Sequence, residues 1–215
     1  MPEMYDIRGE YMRRKIDGER ILSYVNGVLH FYGVICFEDL YEVISEVIPE
    51  DLDRDDLRVL LDAAVAHEDG PYVLDVLDDC YFDIDVEDID WVLEEQAKQE
   101  LPYRPITEED ARLVMEDHFP LLWKDGETAF WQWLQKKCGN DKQLAMTMVL
   151  EYEAEVKNGM STLELAEKVV EKLALASAEE VREAAREVHQ FIDDVPRWVY
   201  KGWRKNEQVT IKNRS

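Results

Sequence analysis

Apolar residues return every three or four positions over most of this chain, and the period falls to two in one short region. From residue 8 to 32, Ile21, Leu22, Val25, Val28, Leu29 and Tyr32 mark one helical stripe, and Gly33 suits the left-handed position that ends a helix. Residues 37–48 repeat the pattern with Leu40, Tyr41, Ile44, Val47 and Ile48, ahead of Pro49. Asp53 is placed to cap a third helix whose stripe is Leu57, Leu60, Leu61, Ala64 and Val65. The run from His67 to Pro71, with Gly70, breaks it. Alternation then takes over: Tyr72, Leu74 and Val76, a turn-like Leu77-Asp78-Asp79, then Phe82, Ile84 and Val86. Three helices followed by a two-stranded hairpin is the order expected of a winged helix. Residues 87–99 read as a further helix carrying Trp91.

Two prolines in residues 101–110 suggest a linker, with the domain boundary near 100–106. Beyond it the pattern is helical throughout. Thr107 can cap the stretch that runs to Pro120, and Asp141 can cap a helix ending at Gly159. Between them, residues 127–138 read as a helix that stops at Gly139. Ser161, with Glu164 three residues on, and Ser177 cap the last two helices. The expected fold is mainly α: a winged-helix-like module over residues 1–100 with a small β-hairpin, then a helical bundle over 106–215.

Charge changes the picture of what this fold can touch. The formal net charge is −24 over 215 residues. It is uneven: residues 21–100 carry a net −20, whereas residues 197–215 carry a net +5. A segment so acidic repels phosphate, which disfavours nucleic acid and favours a basic protein partner or the chain's own tail. No apolar run approaches the length of a membrane helix, and the charged start lacks the apolar core of a secretory signal. The three cysteines, Cys36, Cys80 and Cys138, are far apart and form no CxxC, so reduced, buried thiols and a cytoplasmic location are expected.

The tail gathers aromatics and bases: Arg197, Trp198, Tyr200, Lys201, Gly202, Trp203, Arg204 and Lys205. Residues 188–207 resemble the C-terminal signature of a family of uncharacterised, mostly Gram-positive bacterial proteins. The matching positions are Asp193, Asp194, Arg197, Trp198, Lys201, Gly202 and Glu207, with Asp at two places where the family favours Asn. Residues 101–115 and 27–44 are similar to two further stretches of that family, in the same order. Members often continue into a SecA-like zinc-binding module. Residues 1–215 contain no such module, so neither a metal nor a role in translocation is expected from the resemblance. It carries no activity.

Arg197, Trp198, Lys201, Gly202 and Trp203 are therefore either a packed anchor for the C-terminus or a partner-binding site. Large aromatics around a permissive glycine favour the anchor. The acid spacings in 51–62 and 83–94 mimic calcium loops but lack the central glycine, so no metal site is expected. The candidate recognition helix, 54–67, offers Asp55, Asp56, Asp62 and His67 against Arg58, a poor set for reading DNA. His118 beside Glu116 and Asp117 is a thin basis for acid–base chemistry, and no catalytic motif or cofactor site appears. The leading expectation is a non-enzymatic protein-interaction module, with homo-oligomers left open. Its rivals are a winged-helix transcription-related regulator and an acidic nucleic-acid mimic that occupies a DNA-binding protein.

Overall fold

Helix α1 (Gly18–Tyr32) is amphipathic with a wide buried face, because Ile21, Leu22, Val25, Val28 and Leu29 fall on one side. It ends as its sequence suggests: Gly33 is left-handed (φ 70°) and its N–H donates to the Leu29 carbonyl at 2.7 Å. In this computed structural model, residues 18–48, 52–66, 72 and 74–207 are described. The expected helical residues 8–17 and the break at 67–71 lie outside them. The described chain is mainly helical with a small antiparallel sheet.

It divides into two units, each drawn from two segments: residues up to Ile89 with Tyr103–His118, and Asp90–Pro102 with the chain from Phe119 onward. A single cut near 100–106 would send α5 (Glu108–Met115) to the bundle. Packing places it against α1 instead. At Gly27 an added Cβ would lie 2.5 Å from Ala111, so the two helices meet backbone to backbone there. Tyr24 and Tyr32 on α1 donate their hydroxyls to the carbonyls of Ile106 and Arg104. Thr107 caps α5 with a full capping box to Asp110.

In the first unit α1 leads into β1 (Val34–Cys36), α2 (Phe37–Val47), α3 (Arg54–Val65), β2 (Leu74–Leu77) and β3 (Cys80–Asp83). Asp53 caps α3, accepting from the N–H groups of Asp55 and Asp56. The sheet has three strands in the order β1-β3-β2, where the sequence pattern suggested a two-stranded hairpin. Strand β1 is only three residues long, too short to show a period. The inward phase of β3 also differs from expectation: Tyr81 is fully buried, whereas Ile84 lies beyond the strand and is 69% exposed.

The β2–β3 hairpin turns on two residues, and both Asp78 (φ 47°) and Asp79 (φ 68°) are left-handed, the requirement of a type I′ turn. Aspartate tolerates that region less well than glycine. Asp78→Gly should therefore raise stability by about 1 kcal/mol, read as a higher urea midpoint at unchanged slope.

The cysteine expectation is corrected here. Cys36 and Cys80, 44 positions apart, form a disulfide, with Cα atoms 3.8 Å apart. They are directly opposed across β1 and β3. The bracketing hydrogen bonds, Phe37 N–H to Asp79 O and Asp83 N–H to Gly33 O, make this a non-hydrogen-bonded pair, where opposed side chains come closest. Cys138 is a free thiol, half-buried.

In the second unit α4 (Ile89–Ala97) is followed by α6 (Asp125–Lys137), α7 (Lys142–Lys157), α8 (Thr162–Lys172) and α9 (Ala178–Asp194). Asp141, Ser161 and Ser177 cap α7, α8 and α9, as their positions in the sequence suggest. Phe130, Leu134, Met148, Tyr152, Val188 and Phe191 fill the core between α6, α7 and α9. Among the described residues no helix is long and apolar enough to cross a membrane.

Candidate functional site

The tail residues singled out in the sequence sit in one reverse turn after α9. A short 3₁₀ turn (Trp198–Tyr200) is followed by two left-handed residues, Lys201 (φ 54°) and Gly202 (φ 84°). They fold the chain back, so that the Arg197 N–H donates to Trp203 O and the Gly202 N–H donates to Arg197 O. Trp198 is driven inward and is 1% exposed. Its carbonyl accepts from Gln96 Nε2 at 2.9 Å, and Lys157 Nζ stands 5.8 Å from its ring. Trp203 is half-buried, and its indole N–H donates to the Pro102 carbonyl at 2.9 Å.

The two arginines of this turn are spent on helix ends. Arg197 donates from Nη1 to the carbonyl of Val156, in the last turn of α7. Burial pulls its guanidinium pKa down. Arg204 donates from Nε to the carbonyl of Asp194, the last residue of α9, and from Nη2 to Leu122 O at 3.2 Å. A cation at the end of a helix is held by the carbonyls that end leaves unpaired. Asp194 works in the opposite sense: its Oδ2 accepts from the Gly126 N–H, in the first turn of α6, at 2.8 Å. The side chain of Asn206 holds its other oxygen. The second aspartate, Asp193, pairs with Lys205 at 3.0 Å.

Beneath the turn lies a set of buried charges that no sequence pattern places in the interior. Glu127, Glu153, Lys157 and Arg204 are each at most 4% exposed. Lys157 pairs with Glu153 at 2.7 Å, and Arg204 Nη2 reaches Glu127 Oε2 at 3.4 Å. Burial, reinforced by the neighbouring Glu153 charge, pushes the Glu127 carboxyl up to about 8, against the lowering pull of Arg204. Glu127 thus binds its proton more tightly folded than unfolded. Its contribution to stability is fully present below the ordinary carboxylate range and is lost as pH rises toward 8. The wild type should lose stability across that window at up to about 1.4 kcal/mol per pH unit relative to Glu127→Gln, read as diverging urea midpoints between pH 5 and pH 8.

The second candidate is α3 in the first unit. Its two bases are committed. The guanidinium of Arg58 lies 3.9 Å from the Phe37 ring centroid and pairs with Asp79, whose carboxyl it holds below the usual range. The guanidinium of Arg54 pairs with Glu38 and stands 5.4 Å from the Tyr41 ring. The outward stripe of the helix is Asp55, Val59 and Asp62, at i, i+4 and i+7, all exposed, with Val59 at 60%. His67 lies outside the described residues.

The calcium-like spacings are occupied by local structure: Asp53 is a helix cap, and Asp83 accepts from the Asp85 N–H. No group of three or more potential metal ligands stands together among the described residues. His118 Nδ1 lies 3.3 Å from Glu116, which also holds Arg112, and all three side chains are exposed. No protein-family model matches this chain, and no curated protein or solved structure matches it. The signals that the sequence held for the unforeseen contacts are small. Gly27 interrupts an otherwise good helix, the usual mark of a close approach. Glu153 and Lys157, spaced i, i+4, read as a surface pair.

Proposed function

We propose that the first unit is a winged-helix module that serves as a cytosolic, non-enzymatic interaction domain for a protein carrying a basic surface. The order helix, strand, helix, helix, strand, strand and the strand order β1-β3-β2 support the winged-helix reading. The observation that carries the function is the state of α3. In a DNA-reading winged helix this element presents cations and amides to base edges and phosphates. Here both arginines lie back on Phe37 and Tyr41 and are neutralised by Asp79 and Glu38, so the outward stripe is Asp55, Val59 and Asp62. Two carboxylates around an exposed apolar residue suit a basic, partly apolar protein surface. The likeness of the tail to the Gram-positive family adds an expectation about shared architecture and none about chemistry.

The test is fluorescence anisotropy with two probes, a short labelled DNA duplex and a labelled lysine-rich peptide. The peptide should bind, and Asp55→Lys/Asp62→Lys should weaken it about tenfold, the loss of about 1.4 kcal/mol of attraction. Saturable binding of the duplex, with affinity falling steeply as salt rises, would overturn the proposal.

A further inference from the structure

The Cys36–Cys80 bond sits at the root of the α3 face. The covalent loop it closes contains α2, α3 and β2, so the whole candidate binding helix lies inside it. The residues next to the two cysteines hold α3 in place. Phe37 follows Cys36 and carries Arg58 on its ring, and Asp79 precedes Cys80 and pairs with the same guanidinium. The Phe37 N–H donates to Asp79 O at 3.0 Å, tying these neighbours together. One bond thus fixes both walls of the Arg58 cradle. The Cys80 side of the bond is buried, at 6% exposure, whereas Cys36 is half-buried.

We propose that Cys36–Cys80 is a reversible thiol–disulfide switch that sets how firmly α3 is held, and through it the affinity of this face for its partner. The second clause rests on the interaction reading above; the first does not. In the reducing step a vicinal dithiol acts as reductant. One of its thiolates attacks the sulfur of Cys36, the less buried residue of the two, the S–S bond breaks, and Cys80 leaves as a thiolate that takes up a proton. The second thiol of the reductant then attacks the mixed disulfide and releases Cys36. Two electrons and two protons pass to the protein, and the reductant ends as its own disulfide. A disulfide in a reducing compartment is expected to be transient and regulatory in this way. The free Cys138 is on the other unit and takes no part.

The experiment has two arms. Full-length protein is equilibrated in buffers of reduced and oxidised dithiothreitol. Thiol content by alkylation and mass spectrometry is read beside amide hydrogen exchange of α3, with Cys138→Ser as background. One thiol pair should appear in a single transition while the protein stays folded, and exchange in α3 should rise at least about tenfold with α1 unchanged. Cysteines that stay unpaired in oxidising buffer, a bond that survives until global unfolding, or unchanged α3 exchange after reduction would each overturn the switch. The lysine-rich peptide is then titrated against both forms. Equal affinity overturns the regulatory clause, and no binding by either form refutes the interaction reading while leaving the exchange result standing. Cys36→Ser and Cys80→Ser should each match the reduced form. If either fails to fold, the chemically reduced wild type still decides the question.

Discussion

Trp198→Ala should destabilise the second unit by about 3–5 kcal/mol, the range for truncating a buried large aromatic. The side chain is 1% exposed, and the residue joins the 3₁₀ turn, α4 through Gln96, and α7 through Lys157. Truncation leaves a cavity, and it strips the apolar cover from the buried Lys157–Glu153 pair. Trp198→Phe should cost distinctly less, because much of the ring contact survives. Guanidinium denaturation followed by circular dichroism measures both. An unchanged midpoint for the alanine variant would mean that Trp198 is not packed as described. It would return the residue to the role of a partner contact.

Arg204→Ala should cost about as much, roughly 3–5 kcal/mol, by a different route. The guanidinium satisfies the carbonyls of Asp194 and Leu122 and faces Glu127 in the interior. Removing it takes a donor from the two half-buried carbonyls and leaves the buried Glu127 with the Lys124 N–H alone. The loss should also depend on pH. With Arg204 gone, only the Lys124 N–H still opposes the burial and the Glu153 charge that raise the Glu127 carboxyl, so ionised Glu127 becomes harder to bury. The variant should therefore lose more stability near pH 9 than near pH 6. The added loss should vanish in the double variant Arg204→Ala/Glu127→Gln. A penalty that is the same at both pH values would show that Glu127 is not the carboxylate that Arg204 compensates.

What the sequence made legible was local. Asp53, Thr107, Asp141, Ser161 and Ser177 cap the helices they precede, because a cap needs only its own side chain and the next three N–H groups. The buried stripe of α1 and the left-handed Gly33 follow from the same short range. The features that escaped reading depend on distant partners. Strand β1 is three residues whose pairing strand lies more than forty positions on. The Cys36–Cys80 bond is invisible without that register. Residues 107–115 look like the first helix of a bundle until Gly27 brings Ala111 against α1.

The candidate sites divide in the same way. The turn at Lys201 and Gly202 was legible from Gly202 and its flanking tryptophans. The composition of the tail allows an anchor or a partner site, but it does not tell that Arg197 and Arg204 end on helix carbonyls. A charged residue does not announce whether it will be solvated or spent on a helix terminus. On α3 the count of acids and bases could be read directly. That Phe37 and Asp79 would take up Arg58 could not, since both come from other elements.

On the proposed function, the outward face of α3 serves a basic protein and not nucleic acid. Its most direct test is capture from native lysate on wild-type protein and on Asp55→Lys/Asp62→Lys, each with and without nuclease, read by quantitative mass spectrometry. A basic protein should be retained after nuclease, eluted by salt and lost from the charge-reversed variant. Recovery that disappears with nuclease, or that is unchanged by reversing the two charges, would contradict it.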